Sequence, residues 1–285
     1  MSANNVPMRP VVVGVGWDRA TDAAVEWAAD YAAWTSRSLL LLHASLWPTV
    51  QAPYGLAPPA HDFEEPEGSG AELLERTRER VLATRPELDV RSNARAVSPV
   101  TALLTASRDA HLLVVGRRGE GRLVGLLAGE VGTHVATHAS CSVAVVRSQP
   151  PPDASAPVIL VGYDGSPTSE AALDFAFREA SRREWQLSVL HVVRSAEPDD
   201  FDRAEKWLNA HVRERSAAFP EVTVGTSLVQ GNPMDAVSEA AASAALVTVG
   251  HRGRGGFAGL RLGSVTQALL HHTDRSVVII RDATS

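Results

Sequence analysis

Glycines and arginines are concentrated in residues 250–267, which read GHRGRGGFAGLRLGSVTQ. An apolar run typical of a strand precedes this stretch, and a helical pattern begins at Ser264. Glycines let a backbone approach a ligand closely and adopt positive φ, while a helix N-terminus offers free N–H groups and the positive end of its dipole. Ser264 adds a hydroxyl donor. These features predict a phosphate-binding loop; the alternative is a tight turn whose arginines face solvent.

A carboxylate accompanies this loop. Asp164 directly follows the apolar run VILVGY, and in a doubly wound sheet ligands bind beyond the carboxyl ends of the strands. Asp164 is suited to accept a ribose hydroxyl or to help hold a metal, so loop and carboxylate together predict a nucleotide site. No G-x-x-x-x-G-K-[ST] motif occurs, because the only lysine, Lys206, lies in a predicted helix. We interpret Cys141 as a packing residue, and His271 and His272 as capping and surface residues.

The chain is a tandem repeat. Residues 112–147 align without a gap against residues 246–281, with 14 of 36 positions identical. Upstream, VVVGVGWD ends at Asp18 and VILVGYD ends at Asp164, which pairs these two aspartates. The sequence predicts one domain over residues 1–148, a proline-rich linker over 149–157 and a second domain over 158–285.

Strands alternate with helices in each copy. In the second copy Ser166 and Pro167 have the residue types of a helix N-cap and first turn. Continuous apolar strands separated by helices predict a parallel sheet covered on both faces, so each copy is expected to be a five-stranded doubly wound α/β domain. The fifth strands, SVAVVR and SVVIIR, are apolar and would otherwise be exposed edges. We expect them to pair antiparallel, which makes the chain a pseudo-dimer.

Composition excludes several classes. The net charge is −6, which disfavours a nucleic-acid partner, and no run approaches the roughly 18 apolar residues of a membrane span. The first ten residues lack the apolar stretch of a signal peptide, and a single cysteine fits a reducing compartment. We therefore expect a cytoplasmic protein.

The spacing Gly250-x2-Gly253-x9-Gly263-Ser264, after Asp164 and the His-Val pair that ends at Val192, resembles the ATP-binding branch of the universal stress protein family. The resemblance covers nearly the whole chain in two copies. It implies the strand order 3-2-1-4-5 and pairing through the fifth strands. It also implies that ATP, with Mg²⁺ as a possible companion, is the ligand. Asp164 would lie by the ribose and Val192 by the adenine, and the phosphates would be held by Gly250, Gly253, Gly263 and Ser264.

The first copy keeps part of this pattern. By the same resemblance its site residues are Asp18, Ala44, Gly116, Gly119 and Gly129. Glu130 stands where the second copy has its serine, and an ionised glutamate offers no donor to a phosphate and adds like charge. The connection after Asp18 is also two residues shorter than the one after Asp164. We expect unequal sites, with the second repeat the stronger.

The predicted function is an ATP-binding stress-response regulator that acts through nucleotide-dependent conformation or an unknown protein partner. No residue set is arranged for turnover, so no catalytic residue or resident metal is assigned, and slow ATP hydrolysis is the most we expect. One alternative is a structural or partner-binding pseudo-dimer that binds no nucleotide. Another is an enzyme of a related nucleotide-binding α/β fold, such as a nucleotidyl transferase or an ATP pyrophosphatase. Such an enzyme would be expected to carry an H-x-G-H or S-G-G-x-D-S stretch, and neither occurs. A homodimer of whole chains is left open.

Overall fold

A computed structural model describes residues 8–45, 69–117, 130–147, 155–194, 197–254 and 261–281. The first repeat contains, in chain order, β1 (Val11–Gly14), α1 (Arg19–Trp34), β2 (Leu39–Ala44), α2 (Gly70–Thr84), β3 (Val90–Arg95), α3 (Pro99–Ala106), β4 (Leu112–Gly116), α4 (Glu130–His138) and β5 (Ser142–Val146). The second contains β6 (Val158–Gly162), α5 (Pro167–Arg183), β7 (Gln186–Val193), α6 (Pro198–Ser216), β8 (Val224–Gln230), α7 (Pro233–Ala241), β9 (Leu246–Gly250), α8 (Ser264–His272) and β10 (Ser276–Ile280). Residues 149–154 of the predicted linker lie outside the described residues, so the domain boundaries stay a prediction.

The strands form one ten-stranded sheet in the order β3-β2-β1-β4-β5-β10-β9-β6-β7-β8. Neighbouring strands within each repeat are parallel. Each half therefore has the order 3-2-1-4-5, and the predicted fold class is confirmed. β5 and β10 pair antiparallel with Val278 opposite Ala144, which confirms the predicted pairing of the fifth strands.

Helices cover both faces of the sheet, and the strand side chains are therefore buried on both faces. Val11 and Val13 belong to one core cluster, and Val12 belongs to the other. α5 shows why the predicted helix forms: Ser166 accepts from the Ser169 N–H as N-cap, and proline occupies the first turn. Its buried side chains recur at helical spacing and include Leu173, Ala176, Phe177 and Ala180.

A reciprocal pair of arginines joins the two repeats. Arg281 follows β10, and its Nη2 donates to the carbonyls of Ala136 and Thr137 in α4 at 2.7 and 3.0 Å. Arg147 follows β5, and its Nη2 lies 3.5 Å from the Leu270 carbonyl of α8. Each arginine thus contacts carbonyls in the C-terminal turn of a helix in the other repeat, where a cation is favoured. Burial lowers the pKa of both guanidinium groups, that of Arg147 to about 10.

Candidate functional site

A cavity of about 590 Å³ opens at the carboxyl ends of the second-repeat strands. All the site residues predicted in this repeat line it, namely Asp164, Val192, Gly250, Gly253, Gly263 and Ser264. Three elements bring them together: the end of β6, the end of β7, and the loop from β9 to α8. The volume of the cavity lies within the range of small-molecule pockets. The sequence-predicted set is therefore a single spatial cluster.

The Asp164 carboxylate anchors the start of the glycine loop. Its Oδ1 accepts the Ser166 N–H at 3.0 Å, and its Oδ2 accepts the Arg254 N–H at 2.8 Å. Burial alone would raise the pKa of Asp164, but hydrogen bonds from Ser166, Arg254 and Ser169 outweigh it and lower the pKa below its ordinary value. The group is consequently an ionised acceptor at neutral pH. Each oxygen retains further acceptor capacity for a sugar hydroxyl.

Two loop glycines are needed for close approach. A Cβ on Gly253 would lie 2.3 Å from Asp164 Oδ2, and a Cβ on Gly250 would lie 2.4 Å from Thr168 Oγ1. The expectation of positive φ is wrong for Gly250, Gly253 and Gly263: the described glycines with positive φ are Gly165 and Gly231. Glycine is required here because the loop packs tightly on the start of α5.

The N-terminus of α8 faces the same cavity. Gly263 is its N-cap and makes no side-chain capping hydrogen bond, because glycine has no side chain. The first N–H groups of the helix therefore have no side-chain acceptor from the N-cap, and such donors suit a phosphate. Ser264 occupies the first helical position beside them. The loop is held in register by the Gly263 N–H, which donates to the His251 carbonyl at 2.8 Å.

The lining has an apolar side and a cationic side. Val192, Val237 and Val249 supply apolar surface, whereas arginines enter from two elements. Arg252 and Arg254 belong to the glycine loop, where the sequence displayed them, and Arg194 follows β7. Sequence reasoning did not assign Arg194, and its only signal was its position two residues after Val192. This distribution suits a ligand with a planar apolar end and an anionic end.

Arg254 fastens the loop to neighbouring elements. Its Nη2 donates to the Gly165 carbonyl at 3.1 Å, and its guanidinium carbon lies 5.7 Å from the ring centroid of Trp207 on α6. Thr168 adds a hydrogen bond from its hydroxyl to the Arg252 carbonyl at 2.5 Å. Asp164 and the helix starts around it therefore hold the first residues of the loop directly.

The first repeat differs more than its sequence indicated. Asp18 is the N-cap of α1 and accepts the Thr21 N–H at 3.1 Å, as Ser166 does for α5. The structural counterpart of Asp18 is thus Ser166, and the pairing of Asp18 with Asp164 is wrong. Identical letters suggested that pairing, but the helix starts and strand registers do not support it. In this ungapped correspondence Gly16 stands at the place of Asp164.

The other first-repeat residues are only partly described. Ala44 ends β2 and packs partly buried against a core cluster, and Gly116 ends β4. Gly119 and Gly129 lie outside the described residues. Glu130 is the first residue of α4. The first repeat therefore keeps the strand ends of the pattern, without a carboxylate at the position equivalent to Asp164.

Comparison with known proteins establishes the ancestry of this arrangement. A model of the universal stress protein family matches residues 7–147 and again residues 157–281. The chain belongs to the universal stress protein family. One universal stress protein, from Mycobacterium tuberculosis, is 34% identical over 293 residues, covering 96% of this chain and 97% of that protein. The two matches agree with the tandem repeat seen in the sequence.

Solved structures share the fold of this universal stress protein. One from Pseudomonas aeruginosa has a TM-score of 0.67 and 15% identity, and covers 96% of this chain and 93% of that one. A universal stress protein from Archaeoglobus fulgidus has a TM-score of 0.63 and 15% identity, with coverage of 96% and 98%. At this identity the likeness concerns the fold.

The described residues of this universal stress protein also bear on metal binding and membrane insertion. No group of three or more His, Cys, Asp or Glu side chains there could hold a metal ion. Among the helices of the same residues, none has both the length and the hydropathy that a membrane crossing requires. Cys141 is buried, and burial raises the pKa of its thiol to about 11.

Proposed function

We propose that the second repeat binds ATP and that the protein acts in the cytoplasm as a nucleotide-dependent stress regulator. The observation that carries this proposal is the convergence of the six predicted second-repeat residues on one cavity of about 590 Å³. Asp164 accepts a ribose hydroxyl, and Val192 lies against the adenine. The N–H groups of the glycine loop and of the α8 start, with Ser264, bind the phosphates. Family membership makes this assignment the natural one for the motif.

The charges of the cavity support an anionic ligand. Arg194, Arg252 and Arg254 line it together with one carboxylate, Asp164. Arginines bind phosphate oxygens through several N–H donors at once. Mg²⁺ enters this proposal only as a companion of the triphosphate, because the described residues offer no metal-binding cluster. The described residues that line the cavity include no base–nucleophile pair. We therefore propose nucleotide binding and signalling, with slow hydrolysis at most.

The contacts of Asp164 support the proposed regulatory role. The carboxylate that would accept the ribose also accepts the Arg254 N–H, and Arg254 packs on Trp207. A ribose hydroxyl that uses the remaining acceptor capacity of this carboxylate would be coupled to the contacts that hold Arg254 against α6, and a protein partner could respond to that coupling. A nucleotide can shift a conformational equilibrium of the loop only by as much as its binding free energy differs between the conformations.

We further propose that the first repeat binds nucleotide more weakly and serves mainly to complete the sheet. Gly16 provides no carboxylate where Asp164 stands, and Glu130 replaces the serine. Native mass spectrometry of gently purified protein tests the proposal by identifying any retained nucleotide and its stoichiometry. One adenine nucleotide per chain, lost in Asp164→Ala, is the expected result. Absence of nucleotide binding even after incubation with ATP would favour the structural pseudo-dimer instead.

A further inference from the structure

A second cavity lies between α1 and α2 of the first repeat, apart from the residues of the proposed nucleotide site. Its volume is about 320 Å³, at the lower end of the range of ligand pockets. Val15, Val25 and Leu73 provide its apolar surface, while Thr77 and Arg76 lie on its α2 side. We refer to it as the α1–α2 cavity. It shares no residue with the second-repeat cavity, although Gly16, which stands at the place of Asp164, is one of its lining residues.

The second repeat shows what shape this space accepts. Arg80 of α2 pairs with Asp22 of α1 at 2.7 Å, and Arg215 of α6 pairs with Asp174 of α5 at 2.8 Å and also with Glu170. The same kind of ion pair therefore links the helices of both pairs. In the ungapped correspondence of the strands, Val15 stands where the second repeat has a tyrosine.

That tyrosine fills the equivalent space in the second repeat. The Tyr163 ring stacks on Trp207 with centroids 5.3 Å apart, and its hydroxyl donates to Glu170. The His211 ring lies 6.3 Å away. Tyr163 thus extends from the end of β6 into the space between α5 and α6. Replacing it by the shorter Val15 leaves the first repeat with a space suited to a planar ring.

Arg76 is the cation left for a ligand in the α1–α2 cavity, because Asp22 and Arg80, which also line it, pair with each other at 2.7 Å. Counting from the paired arginines Arg80 and Arg215, Arg76 takes the place of His211 beside the ring. It is exposed, its guanidinium carbon lies 5.9 Å from the Trp17 ring centroid, and it makes no ion pair with a carboxylate in the described part of the chain. A guanidinium at the edge of an apolar slot is suited to a bidentate contact with a ligand carboxylate.

We propose that the α1–α2 cavity binds a small aromatic carboxylate. The ring lies against Val15, Val25 and Leu73, in the space that corresponds to the Tyr163 ring. The carboxylate meets Arg76 at the opening. Apolar contact supplies most of the affinity, and the arginine supplies the selectivity for an acid over a neutral ring.

The test uses two probes that share a phenyl ring, the acid benzoate and the neutral benzyl alcohol. Both are added to the full chain in the presence and in the absence of ATP. Methyl NMR signals of Val15, Val25 and Leu73 report the location, and titration gives the affinity. Saturable shifts of these methyls with one benzoate per chain are expected under both conditions. Shifts that fail to saturate, or that centre on other residues, would overturn the proposal independently of the nucleotide site.

Substitutions separate the ring from the carboxylate. Val15→Tyr introduces the tyrosine of the second repeat and should abolish the binding of both probes, as should Leu73→Phe if Val15→Tyr fails to fold. Arg76→Gln should weaken benzoate about tenfold and leave benzyl alcohol unchanged, consistent with loss of one charge-assisted contact. Arg78→Gln is the matched control on the same helix, because Arg78 pairs with Glu75 and does not line the cavity. Binding retained in a folded cavity-filling variant, or benzoate affinity unchanged in Arg76→Gln, would refute the assignment.

Discussion

Gly253→Ala is the perturbation that most directly examines how Asp164 holds the glycine loop. The added Cβ would lie 2.3 Å from Asp164 Oδ2, whereas ordinary contacts begin at 3.4 Å. The carboxylate or the loop must therefore move by roughly 1 Å. The hydrogen bond from the Arg254 N–H, now 2.8 Å long, is the contact that such a shift breaks. Because Gly253 does not have positive φ, alanine adds no backbone strain of its own.

The magnitude follows from that hydrogen bond. A bond to a charged acceptor contributes about 1.5–3 kcal/mol, and each kcal/mol corresponds to about 2–4 °C in Tm for domains of this general size. We expect Gly253→Ala to lower Tm by about 3–12 °C. ATP affinity should fall about tenfold or more, because the displaced carboxylate no longer meets the ribose. Calorimetry supplies both quantities.

Gly225→Ala is the matched control for this substitution. Gly225 lies in β8, and a Cβ there meets nothing within 4 Å. We expect it to leave ATP affinity unchanged and to alter stability by less than about 1 kcal/mol. If Gly253→Ala matched this control in both Tm and affinity, the inference that the loop needs glycine to pack on Asp164 would be refuted.

Three further predictions concern the two sites. Asp164→Ala should lower ATP affinity about tenfold or more by calorimetry while the circular dichroism spectrum stays native; unchanged affinity would reduce Asp164 to a strand cap. The lowered pKa of Asp164 contributes stability that is present above its unfolded pKa of about 3.9 and is lost as pH falls further. Acid unfolding of Asp164→Asn should therefore show a shallower dependence on pH, and an identical profile would contradict this sign. Glu130→Ser should raise the ATP affinity of the first site, and Gly16→Asp combined with Asp18→Ser should raise it further. Ser264→Glu should lower the ATP affinity of the second site. An ATP titration that responds to none of these substitutions would count against the asymmetry.

Much of the fold could be predicted because its signals are local. Continuous apolar strands, proline at helix starts and the N-cap Ser166 each act within a few residues of their own position. Because the two repeats align without a gap over 36 residues, the strands and helices predicted in one repeat are supported by the same pattern in the other. The pairing of β5 with β10 followed from the cost of leaving two apolar edges exposed.

The candidate site was less predictable because it depends on contacts between distant segments. Asp18 and Asp164 look equivalent by letter, but Asp18 caps a helix and Gly16 takes the Asp164 position. Glycine content indicated backbone freedom, whereas Gly250 and Gly253 are needed for close packing against α5 residues and Asp164. The α1–α2 cavity exists because the first repeat has Val15 where the second has Tyr163, whose ring lies between two helices. Neither residue by itself predicts a cavity.

The most direct test of the central claim is site-resolved occupancy by ATP. Crystals of the wild-type protein grown at limiting ATP would show which repeat fills first, with solution calorimetry giving the stoichiometry. The account predicts nucleotide in the second-repeat cavity, with the ribose within hydrogen-bonding distance of Asp164 and the first repeat empty or weakly filled. Equal occupancy of both repeats at limiting ATP, or a nucleotide bound away from Asp164 and the loop that starts at Gly250, would contradict it.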